Sequence, residues 1–423
     1  MSMADPEASV LLSALQQRGP GRRDLGWATR RKAMLMLALS ATVTCLLAAA
    51  GYALVAGWFR TGGSTFVENV FPFWAWSRFL HETIVPAQIY DFPLLNAFQH
   101  HLSSGYQERM PFAYPPSYLL LLWTLGLLTV RVAYGAFLAV NLAAYIAATW
   151  QRGRGCLSTG LAVIAPSTVV ALAMAQNSLL VAALLFGGCR LVGRRPIMAG
   201  VLFGLMSFKP QFGLLIPVAL ISAREWRCFA AATATVLASV ITSGAVFGWN
   251  TWTAMPTALA GLNHFVSPLG FAARSPTISA SLRLLGAGPE AVRAGQLLAA
   301  ALAGVTVFWC FRRGFRQLPV AALMVSVFFT TPYAFDYDLP ILTCAVLLIC
   351  LDAKSTGVVL WAWEIIVLAF IIALPYLLFF TPVGPPYGGI GLVCLLGLIV
   401  RRIFSADRRQ ALAAAAPPEL ALG

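Results

Sequence analysis

Leu- and Ala-rich apolar runs, each about as long as the 20 residues that cross a bilayer, recur between residues 33 and 401, and most of them end on a cluster of arginines. No other feature restricts the fold so strongly. Hydrocarbon offers no partner to a free backbone N–H or C=O, so only helices or closed barrels can span it. Barrel strands would be short and would alternate apolar with polar residues, whereas these runs are long and unbroken, which selects helices. The chain therefore reads as all-α, a polytopic membrane helical bundle. Its composition, 59% hydrophobic and 10% charged over 423 residues, is too apolar for a domain that faces water on all sides.

The net charge of +14 would suit a nucleic-acid binder, but its distribution says otherwise. Arg22/Arg23, Arg30/Arg31/Lys32, Arg152/Arg154, Arg194/Arg195, Arg312/Arg313, Arg401/Arg402 and Arg408/Arg409 all sit at the ends of apolar runs. That is the pattern of cytoplasmic anchors, so the charge sets topology and no nucleic acid is expected as a partner. The eight cysteines fall within or beside apolar runs, and none forms a C-x-x-C pair. They read as packing residues. His100 and His101 are adjacent and lack further spaced ligands, so neither metal nor cofactor is expected.

Placing the basic clusters inside threads the chain with one consistent parity, most of its 29 lysines and arginines falling on one side. Residues 1–32 form a basic cytoplasmic segment, and 33–59 an uncleaved first span. A large outer loop, 60–116, follows. The apolar stretch 117–130 is short for a crossing and suits a re-entrant piece, after which 131–150 runs inward. Residues 156–173 go out, Gln176-Asn177 turn, and 178–193 return.

Both ends of 196–222 are basic, so a straight crossing would violate the charge rule. A break at Lys209-Pro210-Gln211 resolves this, because Pro210 has no N–H to continue a helix. Two half-length helices then meet at an outer apex, and Lys209 is expected to face a wet space. The remaining spans are 227–248, 291–311, 317–333, 339–352, 356–380 and 387–401, with a second large outer loop at 249–290. About 12 membrane segments result, within an integral domain over 33–402, and 403–423 reads as a disordered cytoplasmic tail.

This threading gathers Glu68, Asn69, Asp91, Gln176, Asn177, Lys209, Gln211, Arg274, Asp336 and Asp338 on the outer face. A lysine within a membrane-depth segment is a functional candidate by default, against the alternative of snorkelling to the interface. Asp336 and Asp338 precede a helix, where carboxylates also serve simply to complement the helix N-terminus. Trp74, Trp76, Tyr90 and Tyr114 are candidates for stacking on a sugar, or for an interfacial aromatic belt.

The succession FPFWAWSRF, IYDFPLLNAFQ, PFAYPPSYLLLL, AQNSLLVAALLF, AGVLFGLMSFKPQFGLLIP, ARSPTISASLRLLG and TPYAFDYDLPIL resembles glycosyltransferase family 87. That family includes polyprenol-phosphate-mannose-dependent mannosyltransferases. The resemblance covers roughly 33–400 and rests on the order of its pieces. It implies the C-type glycosyltransferase architecture, a bundle whose cavity opens to the outer side of the inner membrane. A polyprenyl-phosphate-linked sugar would serve as donor, a glycolipid or glycan as acceptor, and a carboxylate in the first outer loop as general base of an inverting displacement.

The family's usual aspartate precedes a Phe-x-x-Phe-Trp segment. Counting back from Phe73-Trp74 puts Asn69 there, with Glu68 beside it, and an amide cannot take the proton. Glu68 and Asp336 are therefore the candidate catalytic carboxylates. Lys209 and Arg274 are the candidate ligands of the donor phosphate. Asn69, Asp91, Tyr114, Gln176, Asn177, Gln211 and Asp338 are candidate substrate contacts. Two other readings stay open: a secondary transporter, for which a broken helix with a lysine is also suited, and a non-catalytic relative that binds polyprenyl phosphate.

Overall fold

The computed structural model describes residues 42, 46, 64–103, 110–150, 157–261, 269–381 and 384–415, without the side chains of 64–69, 157, 269–270 and 410–415. Among them every regular element is helical. The expected first span 33–59 lies outside the described residues except for Thr42 and Leu46, as do residues 1–32.

Six helices have the length and apolar composition to cross a membrane: Val130–Thr149, Trp226–Phe247, Pro289–Phe311, Asp336–Thr356, Ala362–Phe380 and Tyr387–Arg409. Shorter apolar helical stretches accompany them at Ser117–Leu127, Ser178–Leu191, Pro196–Phe208, Pro210–Ser222 and Gln317–Thr330. The polytopic helical bundle expected from the apolar runs is thus the architecture observed.

The centre of the bundle is the helix Gln317–Thr330, buried continuously from Leu318 to Phe329. It packs against Pro289–Phe311, Pro340–Thr356 and Tyr387–Ala415. A helix apolar on every side has to be enclosed by others. On the outside, Leu237, Ile241, Leu297, Leu302 and Val305 are exposed, as lipid-facing positions of a membrane helix should be. The helix Pro196–Leu205 packs closely on Trp226–Phe247. A Cβ at Gly200 would stand 2.5 Å from the Cys228 carbonyl, and one at Gly204 would stand 2.4 Å from Thr235 Cβ. Helices in lipid gain from such close backbone approach because no hydrophobic force drives them together.

Proline sets several helix starts. Pro166, Pro196, Pro210, Pro289 and Pro340 all stand in the first turn of a helix, where the missing N–H would have had no partner anyway. At Lys209 the backbone leaves the helical region (φ −124°, ψ 70°), between a 3₁₀ turn at Met206–Phe208 and the short helix Pro210–Gly213. The chain is broken where Pro210 requires it.

Two expectations need correction, and the two expected outer segments contain helices. The stretch 60–116 contains the helix Ser64–Glu82, whose Phe73, Trp76 and Phe79 are core residues. The expected single crossing 156–173 is split into Leu157–Ile164 and Pro166–Ala173, because Pro166 drives Ala165 to an extended conformation (φ −61°, ψ 143°). The last helix does not stop near Arg402 but runs to Ala415, tied back by the Arg313–Asp407 ion pair. The outer segment 249–290 likewise contains helices, Asn250–Gly261, Leu269–Ala273 and Ile278–Leu284.

Candidate functional site

After the central helix ends at Thr330, residues 331–335 run without helix and a 3₁₀ turn at Asp336–Asp338 leads into Pro340–Thr356. This turn packs against Pro166–Ala173, Ser178–Leu191 and Ala362–Phe380. Both of its acids are buried, and each meets a cation from a distant part of the chain.

Asp338 Oδ1 accepts from Lys209 Nζ at 2.9 Å and from Ser178 Oγ at 2.7 Å. Its Oδ2 accepts from the Phe335 amide at 3.1 Å. Lys209 is itself only 5% exposed and lies 5.7 Å from the Tyr337 ring centroid. The helix break thus turns Lys209 toward a buried acid instead of the expected wet space. The ion pair makes this burial tolerable, since a lone buried ammonium would be far costlier.

Asp336 is held by Arg274 in a two-pronged contact, Nε to Oδ2 at 2.9 Å and Nη2 to Oδ1 at 3.1 Å. Its Oδ1 also accepts from the Tyr337 amide at 2.9 Å. The Asp336 amide donates to the Arg274 carbonyl at 3.0 Å, so the two segments are joined through backbone and side chain alike. Asp336 is fully enclosed, yet the Arg274 side chain is 33% exposed. Two N–H groups on Nη1 have no acceptor among the described residues, and the guanidinium lies over Phe379, 5.2 Å from its centroid.

The turn that carries Arg274 is held by hydroxyls. Thr277 caps Ile278–Leu284 by accepting from the Ala280 amide at 3.2 Å, and Ser279 Oγ donates to the Pro332 carbonyl at 3.2 Å. Gly388 admits the turn to the last helix, because a Cβ there would stand 2.4 Å from Pro276 Cα.

A third group adjoins the first. Asn177 Nδ2 donates to Tyr118 Oη at 2.9 Å and, at 3.4 Å, to Tyr114 Oη, while Asn177 Oδ1 is buried with no partner among the described residues. Turning the amide over would only exchange which of its ends is unsatisfied. The two phenol rings lie 4.5 Å apart, and Tyr118 stacks on Phe208, next to Lys209, at 4.9 Å. Burial pushes the Tyr114 phenol above its ordinary value, with the positive charge of Lys209 pulling it back. Tyr114 therefore remains an O–H donor at neutral pH.

Of the residues singled out from sequence, Tyr114, Asn177, Lys209, Arg274, Asp336 and Asp338 are drawn into this connected region. Gln176 and Gln211 are half-buried and adjoin it along the chain. Asp91 is exposed and caps the helix Phe92–Leu102, accepting from the Leu94 amide at 3.2 Å; it is not part of the cluster. Glu68 and Asn69 belong to the helix Ser64–Glu82, and their side chains lie outside those described. Sequence reasoning passed over Ser178 and Tyr118, although each stands in a quoted motif. Tyr118 lies just after the Tyr114-Pro-Pro segment, and Ser178 directly follows Asn177. Among the described residues no group of His, Cys, Asp and Glu is arranged to hold a metal.

Chemically, the region offers one partly open guanidinium with its plane fixed, one unpaired amide oxygen and phenolic donors. The charged groups within it balance as two acids and two bases. The profile of glycosyltransferase family 87 matches residues 112–335, which takes in Tyr114, Asn177, Lys209 and Arg274 and ends one residue before Asp336. No curated protein and no solved structure matches the chain.

Proposed function

Since the chain belongs to glycosyltransferase family 87 and is a membrane glycosyltransferase, we propose that it transfers a hexose, or a pentose, from a polyprenyl-phosphate donor to a glycolipid or glycan acceptor. The reaction takes place on the extracytoplasmic side of the inner membrane, with inversion at the transferred carbon. The observation that supports this reading is the Arg274–Asp336 pair, a buried acid fixing the plane of a guanidinium that is 33% exposed.

Breaking the bond between a sugar and its phosphate leaves an electron pair and a growing negative charge on the phosphate oxygen. A cation already in position stabilises that charge without having to reorganise. Arg274 has free N–H groups for a phosphate oxygen, and Asp336 balances its charge when no substrate is bound. Lys209 has a different part in this scheme. Committed to Asp338, it steadies the 336–338 turn and so supports Arg274 indirectly.

The resemblance to the family puts the base on a carboxylate of the first outer segment. Both oxygens of Asp336 and both of Asp338 already accept hydrogen bonds within the protein, and both side chains are buried, so neither is placed to reach an acceptor hydroxyl. Asn69 has no carboxylate. Glu68 remains, taking the acceptor hydroxyl proton as that oxygen attacks the sugar carbon and the phosphate departs. Asn177 and the Tyr114 and Tyr118 phenols supply hydrogen bonds to sugar hydroxyls.

The test is transfer by the purified protein in lipid nanodiscs, supplied with a polyprenyl-phosphate hexose and a glycolipid acceptor. A new glycosidic product is expected, and Glu68→Gln is expected to lower its rate by about 10²-fold or more. Donor binding without product would make the chain a binding relative, and uptake of a soluble sugar without product would make it a transporter. Full turnover in Glu68→Gln removes that residue as the base.

A further inference from the structure

At the end of the bundle remote from Arg274 lies an open cavity of about 500 Å³ lined by Gly397, Val400, Arg401, Phe404, Ser405 and Arg408. All six belong to the last helix. They recur at intervals of three and four and so share one face. The position is fixed by Ala362–Phe380, which packs against this helix. Phe379, under Arg274, is near one end of it, whereas Trp361 and Trp363, whose rings lie 5.9 and 5.1 Å from the Arg401 guanidinium, mark the other. Trp361 and Phe379 are about 27 Å apart along the helix axis.

The cavity changes character along its length. Gly397 and Val400 make its inner part apolar, and no atom lies within 4 Å of where a Gly397 Cβ would be. Arg401 and Arg408 make the outer part basic, with Phe404 between them along the helix and Ser405 Oγ donating to the Arg401 carbonyl at 2.9 Å. Trp361, Trp363 and Phe404 are exposed around it, as at a membrane interface.

No acid in the lining neutralises the arginines. Asp407 projects elsewhere, to Arg313. Glu364 accepts from Arg401 at 3.2 Å, but Arg402 also holds it through both oxygens at 2.9 Å. Arg408 has no ion-pair or hydrogen-bond partner among the described residues, and both Arg401 and Arg408 are exposed.

We propose that this cavity is a binding site for one anionic phospholipid. The phosphate sits between Arg401 and Arg408, and an acyl chain lies along Val400 and the open space at Gly397. A basic pocket at the end of membrane helices with an apolar groove below it complements both parts of such a lipid. The site is independent of the transferase reading, being at the opposite end of the molecule.

The probe is phosphatidylglycerol against phosphatidylcholine, with wild-type protein, Arg408→Gln and Gly397→Leu in nanodiscs of each lipid. Wild type is expected to unfold about 3 °C higher in phosphatidylglycerol and to retain this lipid in native mass spectra after transfer to detergent. Arg408→Gln removes the free cation, and Gly397→Leu fills the groove while leaving every charge in place. Both are expected to abolish the retained lipid while unfolding in phosphatidylcholine as wild type does.

A wild type indifferent to headgroup charge overturns the proposal. So does a preference lost in Arg408→Gln but kept in Gly397→Leu, which would mean surface charge without a groove. Should a variant fail to fold, brominated phosphatidylglycerol diluted in phosphatidylcholine tests the wild type alone. Quenching of tryptophan fluorescence at mole fractions where brominated phosphatidylcholine gives none supports the site, and equal quenching by the two lipids overturns it.

Discussion

Lys209 Nζ lies 2.9 Å from Asp338 Oδ1, with both side chains buried, so the break in the 196–222 segment is fastened to the turn that presents Asp336. Removing either partner leaves a buried charge uncompensated, at a cost of about 3–5 kcal/mol. Lys209→Met and Asp338→Leu are each expected to lower the unfolding temperature of the purified protein markedly. The double variant should lose less than the sum of the two. Additive losses would show that the pair is not coupled.

At Arg274 geometry matters as well as charge. Arg274→Lys keeps the cation but loses the planar fork that Asp336 grips through Nε and Nη2. Transfer measured as kcat/KM is expected to fall by about 10²-fold, and Asp336→Asn should fall with it, since an amide holds the guanidinium less firmly. Wild-type turnover in Arg274→Lys would count against a phosphate contact through this group.

An unpaired buried acceptor is a cost that stability alone does not explain. Asn177→Leu removes the unsatisfied Oδ1 but also the amide that donates to the buried Tyr118 phenol, so a stability loss of about 1–3 kcal/mol is expected. Transfer activity should drop at least about tenfold, consistent with the loss of a hydrogen bond to substrate. Unchanged activity would make Asn177 a packing residue only.

Two glycines in the last helix provide a matched comparison. Gly388→Ala places a Cβ 2.4 Å from Pro276 Cα, which forces the turn carrying Arg274 or the helix to shift. The variant is expected to unfold at a lower temperature and to turn over more slowly. Gly397→Ala, with nothing within 4 Å of the new atom, is expected to unfold as wild type does or at a slightly higher temperature, because alanine favours helix by about 1 kcal/mol over glycine.

Several features of this protein follow from neighbouring residues alone. Apolar runs ended by arginines specify membrane helices, because lipid excludes any backbone group that the segment does not satisfy itself. Pro210 breaks the 196–222 segment at Lys209 because it lacks an N–H, and the order of short motifs pointed to the family. Where proline was given less weight, as at Pro166, the reading erred. In 60–116 the polar residues scattered through the stretch hid the helix face that buries Phe73 and Trp76.

Only the tertiary structure decided what the polar residues do. Lys209 meets an acid 129 positions away, and Arg274 meets one 62 positions away. A buried lysine beside a helix break has the same appearance in sequence whether it faces a ligand or an internal carboxylate, because both demand the same residue type at the same place. Which of the two it meets depends on how distant segments pack. The same holds for Asp91, which caps a helix, and Asp336, which orients a guanidinium, although both read from sequence as acids on the outer face.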